Sequence, residues 1–427
     1  MTTDSPRATL HAPAAPRLLL LSSEFPPGPG GIGTHAYQLA RHLTARGWSV
    51  AVAAPQPYVA AAARDAFNRR QPFAVVPLAG REDGGLWWAE RLRAVHRLIR
   101  AMRPAIIVAS GRRALWMAAA LAPLYRLPYV AIGHGTEFHT ASAPLRALTR
   151  RAIAGAAAVV AVSDYTAGLV RAAGRPRQLI VIPNAADGQR FRPLSPAPPL
   201  PRSPALNLSP GQRLLLTVGR VGERKAQDVV IRALPRVLAA HPDVVYVMAG
   251  LPEKQAEYTA LAEELGVAHA LRFTGLVDDD DLPLLYNRAD LFVLVSRRTS
   301  AGDVEGYGIV VQEAALCGLP AVVSRECGLT EAIREGETGV SVPPDDPEAT
   351  AAALIALLDD DAARRRMGQR ARDLAQRATW AERVGNYDHL LRAFVVATPP
   401  ASEAANSALV GRPTSEDADS ELVTRNS

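Results

Sequence analysis

Short apolar runs alternate with longer amphipathic stretches along most of the chain. Residues 18–21, 49–53, 74–77, 106–108, 129–132, 159–162 and 179–182 are compact and apolar, which predicts buried strands. Helical periodicity fills most of the gaps between them. Strands alternating with helices predict an α/β architecture with a parallel sheet covered on both faces. The alternation stops at 192–211, where seven prolines exclude both a helix and a central strand. It resumes with expected strands at 213–218, 244–249, 271–274, 291–295, 321–323 and 340–342. Helices are expected at 227–240, 253–265, 308–317 and 347–358, and two more at 362–377 and 380–396 close the pattern.

This organisation predicts a flexible arm over 1–16, a first αβ domain over 17–191 and a proline-rich linker over 192–211. A second αβ domain follows over 212–378. A helix over 379–397 is expected to pack back towards the first domain, and the polar, aperiodic residues 398–427 read as a disordered tail.

Composition narrows the classes. Of 427 residues, 48% are hydrophobic and 21% charged, which excludes a wholly disordered or fibrous chain. The apolar runs fall short of the roughly 20 residues a spanning helix needs, and no signal peptide is evident. Cys317 and Cys327 are too few for a disulfide scaffold and are expected to be buried thiols. A cytoplasmic protein is the expectation.

Charge is uneven. The net charge is +6, yet residues 1–200 carry 24 arginines against nine acids. A basic half favours an anionic partner. Nucleic acid is not expected, because no aromatic-rich basic module is visible. The segment 86–103 sets Trp88, Leu92, Val95, Ile99 and Met102 at helical spacing, with Arg91, Arg93, Arg97, Arg100 and Arg103 filling much of the rest. Such a helix can cover a sheet and present Arg93, Arg97 and Arg100 to an anionic membrane.

Several motifs carry chemistry. Gly28, Gly30 and Gly33 fit G-x-G-x-x-G after the first strand, but the second strand ends without the acid a dinucleotide fold uses on ribose. The loop can still approach a phosphate or sugar closely. Asp278–Asp281 precedes a helical pattern, where acids cap and oppose the macrodipole. His134, Glu137 and His139 lack metal-ligand spacing, and no metal is expected. Gly219-Arg220 is followed by Lys225 just before a helix. Only two of the 48 basic residues are lysine, so Lys225 is unusual by composition. A bidentate cation and a point cation at a strand-to-helix loop suit a diphosphate. Glu305 and Glu313 flank a Gly-x-Gly loop that runs into a helix, placing two carboxylates where one can hold sugar hydroxyls and the other a ribose diol.

Taken together, Phe25-Pro-Pro with Gly30-Gly-Ile-Gly33, His134-Gly-Thr-Glu137, Gly219-Arg220 with Lys225, and Glu305 with Glu313 resemble the retaining glycosyltransferases of family four. The resemblance covers about residues 17–397. It implies the GT-B fold, two Rossmann-like domains facing across a cleft, with the acceptor in the N-terminal domain and a nucleotide sugar in the C-terminal one. It implies that His134, Glu305, Arg220 and Lys225 form the catalytic set. Donor contacts are implied for Gly30, Gly31, Gly33, Val277, Gly306, Tyr307, Gly308, Ile309 and Glu313, without a required cofactor or metal. Residues 303–314 and 317–320 are most similar to GDP-mannose-dependent phosphatidylinositol mannosyltransferases. GDP-mannose and a lipid-linked or glycan acceptor are therefore expected, at the inner face of the cell membrane. A UDP-sugar transferase with a soluble or polysaccharide acceptor is the alternative, ahead of a non-catalytic binding module. There are departures from the family pattern: Ala226 replaces the glycine after the lysine, Asn184-Ala-Ala-Asp187 replaces Asn-Gly-Val-Asp, and Thr330 replaces the proline before Glu331.

Overall fold

The computed structural model describes residues 15–80, 86–139, 142–195, 206, 208–209 and 211–396. Nearly all of the expected arm, most of the linker and the expected tail lie outside these residues.

The first half comprises β1 (Arg17–Ser22), α1 (Gly31–Ala45), β2 (Ser49–Ala54), α2 (Ala61–Arg69), β3 (Ala74–Pro77), α3 (Trp87–Met102), β4 (Ile106–Ser110), α4 (Arg112–Leu121), β5 (Tyr129–Gly133), α5 (Ala143–Gly155), β6 (Ala158–Ala161), α6 (Asp164–Ala173) and β7 (Leu179–Val181). All pairings are parallel, in the order β3-β2-β1-β4-β5-β6-β7. β1 is apolar throughout because both of its faces are covered. Leu18 and Leu20 face one core, and Leu19 and Leu21 the opposite one.

The second half comprises β8 (Arg213–Val218), α7 (Gln227–Ala240), β9 (Val244–Ala249), α8 (Gln255–Glu264), β10 (Leu271–Gly275), α9 (Leu282–Arg288), β11 (Leu291–Leu294), α10 (Ile309–Leu316), β12 (Ala321–Ser324), β13 (Gly339–Val342), α11 (Pro347–Asp359), α12 (Asp361–Ala375) and α13 (Trp380–Val396). Its sheet is also parallel, ordered β10-β9-β8-β11-β12-β13.

Helix α13 leaves the second domain and lies against α1. Trp48 Nε1 donates to Asp388 Oδ1 at 2.7 Å, and Arg392 Nη2 donates to the Arg46 carbonyl at 3.0 Å. One apolar cluster therefore runs from β1 through β8 to Trp380, Val384 and Tyr387.

Two expectations are corrected. Arg91 does not join the polar face of α3: it is 2% exposed, its Nε donates to the Ala79 carbonyl at 2.6 Å, and its guanidinium lies 4.7 Å from the Trp87 ring centroid. Arg93, Arg97 and Arg100 are exposed. The second correction concerns Asp278–Asp281. Asp281 holds the N-cap position of α9 but makes no side-chain cap bond. Asp279 instead accepts from Arg190 Nη2 at 3.0 Å, joining the end of the first domain to the second. Both cysteines are free and buried.

Candidate active site

The loops at the carboxyl ends of both sheets meet, as expected for ligand binding in open parallel sheets. At the centre is the segment after β11. Gly306 packs so closely on the loop after β5 that a Cβ there would stand 1.8 Å from the His134 carbonyl oxygen. Its own carbonyl accepts from Ser163 Oγ at 2.6 Å and Thr166 Oγ1 at 3.3 Å, both from the first domain. Gly308 has φ 84° and caps α10, a left-handed conformation that favours glycine. A Cβ there would also strike Leu329 at 2.4 Å.

Glu305 is held by two cations. Lys225 Nζ stands 2.7 Å from its Oε2, and Arg224 Nη1 bonds the same oxygen. Burial pushes the Glu305 carboxyl up, but Arg224 and Lys225 outweigh it and bring the pKa to about 2. Burial lowers the Lys225 pKa, and Glu305 opposes that shift. Ala226, which ends this turn, is left-handed at φ 52°, which accounts for the glycine of the related pattern. Arg220 bonds Glu253 and reaches Tyr58 Oη of the first domain at 3.5 Å.

Glu313 points from α10 to Tyr286, whose hydroxyl donates to its Oε2 at 2.8 Å. Burial raises its pKa. Val277 lies just beyond β10, partly buried against the large core.

In the first domain, His134 shares a 2.9 Å hydrogen bond between Nε2 and Ser110 Oγ. Burial lowers its pKa to about 3, so the imidazole is neutral. Both Glu137 oxygens accept from the His134 amide, at 3.1 and 3.0 Å, and burial raises this carboxyl to about 7. Behind His134, the His35 ring stands edge-on at 5.0 Å.

The glycine loop needs a correction. The expected amide cradle over 30–33 is partly filled, because Glu24 Oε1 accepts from Ile32 N at 3.0 Å and from Gly33 N at 3.3 Å. Gly31 faces open space. Burial raises the Glu24 pKa, opposed by these amides and by Arg220 and Arg224.

Glu331 follows Thr330 in a turn between β12 and β13. Its carboxylate crosses to the start of α6 and accepts from Asp164 N and Tyr165 N, each at 2.7 Å. Glu24, Arg224, Tyr58, Tyr286 and His35 had no distinguishing sequence signal beyond proximity to the motifs. Among the described residues, no group of three or more His, Cys, Asp or Glu side chains is arranged to hold a metal ion. Nor is any described helix long and apolar enough to cross a membrane.

Residues 29–190 match the Glycosyltransferase Family 4 description, and 202–374 match Glycosyl transferases group 1. A GDP-mannose-dependent alpha-(1-6)-phosphatidylinositol monomannoside mannosyltransferase from Mycobacterium tuberculosis is 31% identical, over 76% of this chain and 85% of that protein. A glycogen synthase from the same organism is 32% identical over 77% and 83%. Among solved structures, sucrose-phosphate synthase from Thermosynechococcus elongatus superposes with a TM-score of 0.75 at 22% identity, covering 90% of this chain and all of that one. HepE from Anabaena, in complex with UDP and glucose, gives 0.73 at 22% identity, covering 88% and 99%. The chain therefore belongs to the group 1 and family 4 glycosyltransferases on the GT-B fold, enzymes that move a sugar from a nucleotide donor to an acceptor.

Proposed function

We propose that the protein is a retaining hexosyltransferase that moves mannose from GDP-mannose to a hydroxyl of a lipid-linked or glycan acceptor, with no metal in the reaction. The observation that carries this reading is the partly buried Glu305, fixed by Lys225 and Arg224 in the loop that abuts His134. The GDP-mannose dependence of the 31% identical mannosyltransferase supports the choice of donor.

In this reading, Arg220, Lys225 and Arg224 neutralise the leaving diphosphate, where charge develops in the transition state. Fixed cations in a closed cleft need little reorganisation as that charge appears. The amides of 306–309 and of Gly30 and Gly31 contact phosphate and sugar, and Val277 lies beside the nucleoside. Glu305, kept ionised, accepts from sugar hydroxyls, and Glu313 accepts from the ribose. His134, neutral and held by Ser110, hydrogen-bonds the transferred sugar. No side chain is assigned as a covalent nucleophile: the acceptor attacks from the face that the diphosphate leaves, and a departing phosphate oxygen takes its proton.

The acceptor is assigned to an anionic membrane surface. Helices α3, α4 and α5 cover one face of the first sheet. Outward from them point Arg93, Arg97 and Arg100, together with Leu86, Leu145 and Leu148, which are 69%, 37% and 40% exposed. Basic residues mixed with exposed apolar ones suit a lipid interface.

A second reading, UDP-sugar transfer to a soluble or polysaccharide acceptor, draws on the glycogen synthase relative and on HepE with UDP. A thermal-shift screen of GDP- and UDP-sugars, followed by turnover with the stabilising donor, tests both. Stabilisation by GDP-mannose alone supports the first, and stabilisation by a UDP-sugar alone overturns it.

A further inference from the structure

A cavity of about 340 Å³ lies beside α10, and of the residues assigned to the reaction only Tyr307 lines it. Its walls come from α10, from the turn at 328–332, from the end of α12 and from the start of α13. At about 30 Å³ per water it has room for roughly ten waters, or for a small phosphorylated polyol.

Its charge is one-sided. Arg334, Arg377 and Arg383 line it, against one carboxylate, Glu331. That carboxylate is already engaged by the Asp164 and Tyr165 amides. Arg334 has only a 3.9 Å approach to Glu337. Arg377 and Arg383 have no ion pair among the described residues, and the Arg383 Nε is buried without a hydrogen-bond partner. Tyr307 also lines the cavity. Arg334 and Arg377 are exposed and Arg383 is partly buried; a guanidinium cannot shed its proton to escape burial, so the buried, unpartnered Arg383 Nε calls for an anion.

We propose that this cavity binds a small phosphate-bearing anion, with Arg383 at its inner wall and Arg334 and Arg377 at its mouth. Three guanidinium forks match the several oxygens of a phosphate better than the two of a carboxylate. Arg383 belongs to α13, which is anchored on the first domain, while Tyr307 sits between Gly306 and Gly308 of the donor loop. A bound anion would therefore tie the crossing helix to that loop. The site is independent of which sugar the enzyme transfers.

The test is thermal unfolding of the full chain with 10 mM inorganic phosphate or 10 mM glycerol 3-phosphate, against sodium chloride at matched ionic strength. The two arms separate a bare anion from a phosphomonoester. Either should raise Tm by about 2–4 °C. Arg383→Gln should abolish the rise, whereas Lys225→Ala should retain it. No rise with either anion overturns the proposal. So does a rise that survives Arg383→Gln, or one that disappears in Lys225→Ala, which would place the anion in the diphosphate clamp. Should Arg383→Gln fail to fold, Arg377→Gln decides: a rise at least halved supports the site, and an unchanged rise overturns it.

Discussion

His35 Nε2 and Tyr387 Oη stand 3.0 Å apart, joining the first helix of the chain to its last described one. Both residues are buried, and Trp380 packs edge-on to the same imidazole at 4.9 Å. Tyr387→Phe keeps the ring and removes the hydroxyl, leaving His35 without that partner. Stability should fall by about 1–3 kcal/mol, measured by urea unfolding at pH 7.5. An unchanged midpoint would mean that the bond contributes nothing net.

Acid should weaken the fold through the same region. His134 falls to about 3 in the folded protein and His35 also falls well below its ordinary 6.5, both through burial. The unfolded chain therefore binds more protons, and the stabilisation present above pH 6.5 is lost as pH drops from there towards 3. Glu137 acts in the opposite sense. Its carboxyl, raised to about 7 by burial, contributes stability below pH 4.5 that is lost as pH rises through 7. The stability difference between wild type and Glu137→Gln should therefore shift by roughly 2 kcal/mol in favour of the variant between pH 5 and pH 8. Parallel pH–stability curves for the two proteins would contradict this.

Lys225→Ala should cut turnover by about tenfold or more, because a charge-assisted contact is worth roughly 1.5–3 kcal/mol. Arg224 still holds Glu305 in that variant, so the fold should survive. Steady-state kinetics with the stabilising donor decides, and an unchanged kcat/KM would remove Lys225 from the diphosphate clamp.

Glu313→Gln keeps the size of the side chain and its contact with Tyr286 but loses the anion. Titration calorimetry with the nucleoside diphosphate should show weaker binding, by about tenfold or more for one lost charged hydrogen bond. Affinity equal to wild type would sink the ribose assignment.

Changing Arg93, Arg97 and Arg100 to Ser should release the protein from anionic vesicles. Each exposed arginine near such a surface contributes about 1 kcal/mol, screened within a Debye length. Sedimentation at low and high salt reads this out. Wild type that ignores anionic vesicles at low salt would leave α3 as a sheet cover only.

The strands and long helices were legible in the sequence because buried parallel strands are apolar on both faces and helices are periodic. Arg91 departs from the polar face that its residue type suggests, although the periodicity holds the clue: positions 91, 95 and 99 share one stripe, and Val95 and Ile99 are buried. Residue type outweighed position in that reading. The carboxylates that close the site were harder to find. Glu24 reaches amides eight and nine residues ahead, and Glu331 reaches amides more than 160 residues back. Such partners follow from tertiary folding, which no local pattern encodes. Asp278–Asp281 failed in the other direction: a strong local capping signal gave way to a longer-range pairing of Asp279 with Arg190.

The docking of α13 on α1 sets an order of events during synthesis. His35 meets Tyr387 across 352 positions of sequence. At about 5–20 residues per second, a ribosome needs roughly 20–70 s to deliver the second after the first. Within that interval the first domain is completed, yet the side of α1 that Trp380, Tyr387 and Asp388 will cover stays bare. A chain stopped before Trp380 would hold both sheets and still present this apolar face to solvent, so premature termination there should yield aggregation rather than a working half.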